Sequence, residues 1–550
     1  MSYKETVAKK KQFLQDQIPK EWIIKDVKSP SEEPNVNKYI ESPEYGLLSP
    51  REIEITNYTL QELLKNQLDR KLTALEIAKA FTHRAVLVHQ ITNCCTELFL
   101  DHAYKQAESL DNYLIKTGEL IGPFHGIPFS LKDQLNVKGV ATSIGYVDKL
   151  FDVITDEDQE SLLVQQLRSQ GALLYMKTTV PMAMLSYDTY STAYGYTENS
   201  LNRNYAPGGS SGGEGVVIQA KACILGIGTD IGGSLRCPAA HNGIWSLRPT
   251  TNRFSYMKVL NSFQHQEVIA STIGPMAYRL EDLVYFGEHI LGDESIQWIK
   301  DPKVPPLKWQ TNIEIPEKLT FAVMNWESTG IKPHPPIIRA LEMVKKSLLS
   351  QGHELIEWDP PIVNTDLYKL LWDVFKIDGF KEVKDEANKS GEPVEYVFLG
   401  HEGITSAAEY WSLVAERYKF QQIINDYWLS TKAQTNTDRP IDGLLTPGWQ
   451  FCALKLGESP KFNGDYSKQF NVLDLPAVQI PITKADSKID LKDETYKPLN
   501  EDDQDNHDRY DAEFYHGANA SVQLVVLERF GEEKVLKLAN VVKKAVELPN

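Results

Sequence analysis

Two closely spaced glycine-rich runs constrain this chain more than any other feature of its sequence. The first is residues 207–215, PGGSSGGEG, and the second is residues 226–234, GIGTDIGGS. Glycine inside a regular element costs about 0.5–1 kcal/mol relative to alanine, so glycine at this density needs a compensating use. The residue supplies unusual backbone angles and lets backbone N–H groups come close to a ligand. The two runs therefore predict a functional loop.

Three kinds of loop use such runs. A phosphate-binding P-loop ends in Gly-Lys-Ser/Thr, which neither run contains. Gly226, Gly228 and Gly232 do not have the glycine spacing of a dinucleotide-binding loop either. A flexible linker is the second kind, but apolar and charged residues interrupt these runs, and the runs lie between apparent core segments. A serine nucleophile site accounts for more of the residues, because glycines permit a sharp strand-to-helix turn and leave N–H groups free for an oxyanion hole.

The base of such a serine site is not evident from the local sequence. The runs contain no Gly-x-Ser-x-Gly elbow, and no histidine lies beside Ser234. A Ser-His-Asp triad therefore has no local support, and another residue must act as the base.

Around these runs the sequence alternates between short apolar segments and helical segments. Between residues 122 and 250, a helical pattern over 158–170 lies among apolar segments that have the length of buried strands. These segments are IPFSL at 127–131, ALLYM at 172–176 and ACILGIG at 222–228. A second alternation follows, with a strand predicted in 319–326 and a helix that Gly352 ends. The pattern is typical of an α/β protein with a buried sheet.

No clean linker divides the 550 residues, so we expect one large domain over residues 46–550. Proline breakers interrupt residues 1–45, which we expect to wrap the body as an N-terminal arm. The acidic segment 484–509 is predicted to be an exposed insertion or lid. Two capping boxes predict a pair of structural helices, and they are formed by Thr59 with Glu62 and by Thr73 with Glu76.

Composition argues against several classes of function. The formal net charge is −17 and the lysines are dispersed, which argues against a nucleic-acid or anionic membrane surface. No apolar run reaches the ~18 residues of a membrane helix, and the N-terminal segment lacks the apolar core of a signal peptide. We therefore expect a cytoplasmic protein with no integral membrane segment.

Cysteine and histidine usage predicts neither disulfides nor a metal site. The five cysteines are odd in number and form no Cys-x-x-Cys pair, as expected in a reducing compartment. The histidines are scattered, and the sequence around His401 lacks the second histidine of a zinc-binding HExxH helix. We therefore expect no metal and no cofactor.

Residues 208–249 resemble the signature sequence of the amidase signature family, and residues 122–133, GPFHGIPFSLKD, resemble its lysine-bearing strand. The resemblance extends from about Leu48 to Ala518 and is strongest toward the fungal acetamidases. It implies an α/β protein with the amidase signature fold, in which a mixed central β-sheet is covered by helices on both faces. The signature core would span about residues 122–250 of a single domain.

The resemblance implies a catalytic triad of Ser234, Ser210 and Lys132. Ser234 would form the acyl-enzyme, Ser210 would relay its proton from within a cis peptide, and Lys132 would be the base. A serine hydroxyl can relay a proton because it both donates and accepts. Lys132 must be neutral, so its pKa must fall from ~10.4 towards ~7–8. Apolar residues in 127–131 are consistent with the desolvation that this requires.

The same resemblance implies further roles around the triad. Four backbone N–H groups would stabilise the oxyanion, and they belong to Ile231, Gly232, Gly233 and Ser234. Met184 would contact the substrate, although a core methionine explains that residue equally well. Three residues would support the loops, namely Ser211 through hydrogen bonds and Asp230 with Arg236 as an ion pair.

The function implied by these residues is hydrolysis of a small aliphatic carboxamide, similar to acetamide, to carboxylate and ammonia. Three alternatives stay open: a fatty-acyl or aryl amide or ester hydrolase of the same family, a glutaminase subunit of a tRNA-charging transamidase, and a non-catalytic binding protein. The expected partner is a small-molecule amide, and a homodimer is compatible with the sequence. Asn519 stands where many relatives have proline, which affects the expected pocket shape rather than the triad.

Overall fold

One mixed β-sheet of eleven strands runs through the described part of the chain, which in this computed structural model is residues 2–362, 364–394, 398–403, 406–458 and 466–549. In chain order the strands are β1 (Cys95–Leu98), β2 (Pro128–Lys132), β3 (Leu173–Thr178), β4 (Tyr190–Ser191), β5 (Gly195–Tyr196), β6 (Leu225–Asp230), β7 (Trp245–Arg248), β8 (Thr272–Ala277), β9 (Thr320–Met324), β10 (Glu354–Trp358), β11 (Gly443–Pro447), β12 (Ala477–Lys484) and β13 (Asn519–Val525). β4 and β5 form a separate hairpin. The others lie in the order β1-β3-β2-β6-β8-β7-β12-β13-β11-β9-β10.

Strand direction in the sheet is mixed. β2 pairs in parallel with β3 and β6, and β9 pairs in parallel with β10 and β11. The other neighbours in the sheet are antiparallel. Every residue of β2, β3 and β6 is buried, as expected for strands that are covered on both faces. The predicted α/β fold is confirmed, and the three apolar segments of the signature region become these three strands.

Helices pack around the sheet. They are α1 (Tyr3–Asp16), α2 (Val36–Glu41), α3 (Pro50–Asn57), α4 (Leu60–Leu68), α5 (Ala74–Thr92), α6 (Leu100–Thr117), α7 (Leu162–Ser169), α8 (Gly212–Gln219), α9 (Arg236–Asn242), α10 (Leu280–Ile290), α11 (Gln297–Lys300), α12 (Pro335–Ser350), α13 (Asn364–Phe375), α14 (Lys381–Ser390), α15 (Ala407–Ser430), α16 (Lys468–Leu473), α17 (Glu501–Asp508) and α18 (Glu532–Ala545). None of the helices in the described ranges combines the length and the apolar character needed to cross a membrane.

Local sequence signals set several helix boundaries. Both predicted capping boxes are confirmed, at the first turns of α4 and α5. The helix predicted before Gly352 is α12, and Gly352 follows it with a φ of 85°. A positive φ at this position is the common way to end a helix, and glycine adopts it without a steric cost.

The first 45 residues contact the body of the protein through α1 and α2. Lys10 of α1 forms a buried ion pair with Glu97 of β1. Val36, Tyr39 and Ile40 of α2 are buried within the main hydrophobic core.

The acidic segment 484–509 is only partly exposed. Asp503 of α17 is buried, and its carboxylate accepts hydrogen bonds from the N–H of Lys332 at 2.8 Å and the hydroxyl of Tyr496 at 2.6 Å. Asn506 is also buried, and its Nδ2 donates to the carbonyl of Lys332 at 2.8 Å. The prediction of an exposed segment is therefore wrong for Asp503 and Asn506, because protein groups replace water around their polar atoms.

Candidate active site

Lys132 ends β2 with its side chain fully buried. Its Nζ lies 2.8 Å from Ser210 Oγ and 2.7 Å from Thr229 Oγ1. Burial lowers the pKa of Lys132 to about 7, against the opposing electrostatic effect of the carboxyl groups of Asp230 and Glu214. A substantial fraction of this amine is therefore neutral at pH 7 and can accept a proton.

A second buried lysine, Lys177 of β3, has a different environment. Its Nζ lies 3.1 Å from a carboxylate oxygen of Asp133, and both side chains are almost completely shielded from solvent. The other oxygen of Asp133 accepts hydrogen bonds from the N–H groups of Ser143 and Ile144. The ion pair and these hydrogen bonds hold Asp133, and with it the turn that follows Lys132, in place. Lys177 therefore has a carboxylate partner in addition to a hydroxyl, as expected of a structural cation, whereas the two partners of Lys132 Nζ are hydroxyl groups.

Ser210 lies on the turn that enters α8. The peptide bond between Gly209 and Ser210 is cis, and Gly208 has a φ of 80°. A Cβ atom at Gly209 would lie 2.2 Å from the carbonyl oxygen of Ser186, so the close approach of these two segments requires glycine. The N–H of Ser211 donates to the carbonyl of Ser234 at 3.2 Å, which ties this turn to the nucleophile loop.

The hydroxyl of Ser211 supports the same junction. Its Oγ donates to the carbonyl of Thr229 at 3.3 Å and accepts from the N–H of Thr229 at 3.4 Å. The hydroxyl is thus occupied by the backbone of β6.

Ser234 lies in the loop that connects β6 to α9. Gly233 in this loop has a φ of 114°, and a Cβ atom there would lie 2.3 Å from Ser467 Oγ. The N–H of Gly233 donates to Asp230 Oδ1 at 2.8 Å. This donor is therefore already occupied by a carboxylate. Of the four N–H groups that the sequence predicted for an oxyanion hole, those of Ile231, Gly232 and Ser234 remain as candidates.

Asp230 and Arg236 form a fully buried ion pair that spans the loop. Arg236 Nη2 lies 3.0 Å from Asp230 Oδ1, and the N–H of Leu235 donates to Asp230 Oδ2 at 3.1 Å. Burial alone would raise the pKa of Asp230, but the charge and hydrogen bonds of Arg236 hold it well below its usual range. Arg236 also donates to Asn471 of α16 and Gln523 of β13, so the loop is anchored to the sheet.

A pocket opens next to Ser234. Loop residues Ile231, Gly232 and Ser234 contribute to its lining together with Met184. The rest of the lining is mainly apolar and includes the aromatic residues Trp372, Phe375, Phe380 and Phe398.

Met184 has an unusual backbone as well as a place in the pocket wall. Both Ala183 and Met184 have positive φ values, 56° and 59°. Such values are uncommon for residues with a side chain and cluster at functional sites. The hydroxyl of Ser262 holds this turn by donating to the carbonyl of Ala183 at 2.6 Å.

Sequence reasoning missed several residues of the site. Thr229 and Gln134 form a hydrogen-bonded chain with Lys132. Glu214 of α8 is buried and accepts from Ser130 and Thr178, and burial raises its pKa to about 8. Thr229 and Glu214 stand inside the two glycine-rich runs, so they could have been singled out. The aromatic pocket residues lie far along the chain and carry no local signal.

Comparison with known proteins identifies the family of this chain. A family model described as Amidase matches residues 76–536. This chain belongs to the amidase signature family. The resemblance to the amidase signature family is thus confirmed, and the protein is an amide hydrolase by family.

Individual relatives of this amidase match along almost its whole length. An acetamidase of Emericella nidulans is 34% identical over 99% of this chain and 98% of its own length. A probable amidase of Saccharomyces cerevisiae is 36% identical over 91% of each chain. A solved structure of fatty acid amide hydrolase has a TM-score of 0.90 at 31% identity, covering 99% of this chain and 95% of that chain.

Proposed function

We propose that this amidase hydrolyses a small aliphatic carboxamide to its carboxylate and ammonia through an acyl-enzyme on Ser234. The observation that carries the proposal is the contact between the buried amine of Lys132 and the hydroxyl of Ser210, at 2.8 Å. The turn of Ser210 is hydrogen-bonded to the Ser234 loop, and that loop opens on an apolar pocket. The acetamidase relatives support a short acyl group.

The acylation step transfers one proton along the triad. Ser234 Oγ attacks the amide carbonyl carbon as its proton passes to Ser210, whose own proton passes to Lys132 Nζ. The negative charge that develops on the carbonyl oxygen is stabilised by the N–H groups of Ile231, Gly232 and Ser234. When the C–N bond breaks, Lys132 returns the proton through Ser210 to the leaving nitrogen, which departs as ammonia.

Deacylation repeats the same proton transfers with water. A water molecule attacks the ester carbonyl and gives its proton through Ser210 to Lys132. The C–O bond to Ser234 breaks, the carboxylic acid is released, and Ser234 regains its proton from Lys132. The three side chains therefore end in the protonation states in which they began, and every proton donor and acceptor in the cycle belongs to the chain or to water.

A second candidate substrate is an amide with a larger apolar or aromatic acyl group. The aromatic side of the pocket, formed by Trp372, Phe375, Phe380 and Phe398, favours it. Aromatic side chains offer large apolar contact areas that a two-carbon acyl group cannot use.

Ammonia release over a substrate series separates the two candidates. The series runs from formamide, acetamide and propionamide to butyramide, hexanamide and benzamide, with Ser234→Ala as the control. For a short-chain amidase we expect kcat/KM to peak at acetamide or propionamide. For the larger substrate, kcat/KM should keep rising about fourfold for each added methylene, because burying one contributes ~0.8 kcal/mol. No ammonia from any member with folded protein would contradict both candidates.

The pH profile of this amidase should have an acid limb near pH 7. Lys132 acts only when neutral, and its pKa is about 7, so kcat/KM should fall tenfold for each pH unit below that value. The measurement is kcat/KM for one amide between pH 5 and 9, with circular dichroism to show that the protein stays folded. An acid limb near pH 4 would point to a carboxylate base and would contradict the assignment of Lys132.

A further inference from the structure

A chain of hydrogen bonds runs from Lys132 away from the substrate pocket. Lys132 Nζ donates to Thr229 Oγ1 at 2.7 Å, and Thr229 Oγ1 donates to Gln134 Oε1 at 2.5 Å. Gln134 Nε2 donates in turn to the hydroxyl of Tyr256 at 2.6 Å and to the carbonyl of Leu260 at 2.9 Å. Lys132 and Gln134 are completely buried, and Thr229 is 3% exposed, so water does not compete for these contacts.

The direction of the chain is determined by the carbonyl of Leu260. A carbonyl oxygen can only accept a hydrogen bond, so the amide of Gln134 must turn its NH2 group toward Leu260. Its Oε1 then faces Thr229 and can also only accept, so the single proton of the Thr229 hydroxyl is committed to Gln134. The backbone N–H of Leu260 donates to the carbonyl of Gln134 at 2.9 Å, which keeps the two residues in register.

Because the hydroxyl proton of Thr229 is donated to Gln134, Thr229 can only accept a hydrogen bond from Lys132. A neutral amine has two N–H donors and one lone pair, and the lone pair is what a base uses. Thr229 can accept an N–H from Lys132 but has no proton left to donate to the lone pair. The lone pair is therefore left for the hydroxyl of Ser210, 2.8 Å from Nζ. If Thr229 could turn and donate, the base would be blocked by its own neighbour.

We infer that Gln134 is a positioning residue for catalysis, which keeps the lone pair of Lys132 available to Ser210 by holding Thr229 as a hydrogen-bond acceptor. The inference rests on the proposed role of Lys132 as the base. Gln134 acts through Thr229 and does not touch the substrate pocket.

The charged and titratable groups around Lys132 do not orient its lone pair, which is the role of the hydrogen-bond chain. Glu214 faces the lysine from α8 and Asp230 from the end of β6. Lys177 of the neighbouring strand is paired with Asp133. Tyr256 belongs to the chain itself, and burial raises its pKa to about 12, so its hydroxyl stays neutral over the working pH range.

The test compares four variants with the wild type, namely Gln134→Met, Thr229→Val, the double variant and Tyr256→Phe. In Gln134→Met the Thr229 hydroxyl is released and can donate to the lone pair. We expect kcat to fall about tenfold with KM nearly unchanged, the effect of one misdirected buried hydrogen bond. Because a donor to the lone pair favours the neutral amine, the acid limb should also move to lower pH, by up to about one unit.

The double variant and the control make the test specific. If Gln134 acts through Thr229, the double variant should behave like Thr229→Val alone, and the two losses should not add. Tyr256→Phe removes the hydroxyl that Tyr256 offers to Gln134 and Thr229 but leaves Leu260 to hold the amide of Gln134, so its acid limb should shift less than that of Gln134→Met. An unshifted acid limb in Gln134→Met, or additive losses in the double variant, would overturn the inference.

A second measurement does not depend on the choice of amide. The rate at which a fluorophosphonate labels Ser234 is followed against pH in each variant, and unfolding midpoints show that each is folded. Wild-type labelling without turnover of any amide would contradict the proposed substrates and leave the comparison of variants intact. Equal labelling of the wild type and Gln134→Met overturns the inference alone. A wild type that does not label contradicts the triad and the inference together.

Discussion

Replacing Ser234 with alanine is expected to lower kcat on the order of 10⁵-fold while the protein remains folded. The change removes the atom that forms the acyl-enzyme, and removing a serine nucleophile elsewhere costs losses of this size because the rest of the triad cannot act without it. The backbone of Ser234 keeps its hydrogen bond from the N–H of Ser211, so the loop should stay in place. The measurements are steady-state ammonia release and the mass of the fluorophosphonate adduct.

Ser211→Ala is the matched control for that experiment. Ser211 is the neighbour of Ser210, and its hydroxyl forms hydrogen bonds with the backbone of Thr229 at 3.3 and 3.4 Å. Hydrogen bonds that long contribute little, so we expect a loss of less than about tenfold in kcat. Activity retained by Ser234→Ala, or an adduct found on another serine, would show that the nucleophile lies elsewhere.

Replacing Lys132 with methionine is expected to remove activity and to make the protein more stable. At pH 7 we expect kcat to fall on the order of 10⁴-fold, because Lys132 is the base that contacts the hydroxyl of Ser210. Methionine keeps the apolar stem of lysine without its amine. The free energy of unfolding should rise by roughly 2 kcal/mol below pH 7, because the lost hydrogen bonds to Ser210 and Thr229 offset part of the gain.

The pH dependence of that stability change follows from linkage. The pKa of Lys132 is about 7 in the folded state and 10.5 is its model value, so between these pH values the unfolded chain binds the extra proton. The wild type therefore gains stability as the pH rises through this window. The advantage of Lys132→Met should be full below pH 7, should shrink as the pH rises through this window and should become a deficit toward pH 10.5. Urea unfolding at pH 6, 8 and 10 measures it.

Lys177→Met is the control that separates the two buried lysines. It leaves the carboxylate of Asp133 buried without its cation, and breaking a buried pair in this way costs about 3–5 kcal/mol. We therefore expect Lys177→Met to be strongly destabilised at pH 7, in contrast to Lys132→Met. A Lys132→Met protein that is no more stable than the wild type at pH 6 would contradict the depressed pKa of Lys132.

The order and pairing of strands in the sheet lay beyond what the sequence could predict. β2, β3 and β6 were recognisable because each is a short apolar run, and a run of that kind depends only on neighbours along the chain. Their position beside one another, and that of β8 and β12 further along, depends on contacts between residues 42 to 233 positions apart. Local periodicity contains no information about such contacts.

The amino-acid sequence by itself determined the family, the α/β class, the helix caps at Thr59 and Thr73, and the three side chains proposed as the triad. Each of these is encoded in residues that are close together in the chain. Only the tertiary structure decided that buried Lys177 is paired with a carboxylate while buried Lys132 contacts two hydroxyl groups, that the N–H of Gly233 donates to Asp230, and that Thr229 donates to Gln134. These properties arise from burial and from hydrogen-bond partners that distant segments supply, and a pKa or a proton's direction depends on those surroundings rather than on the residue type.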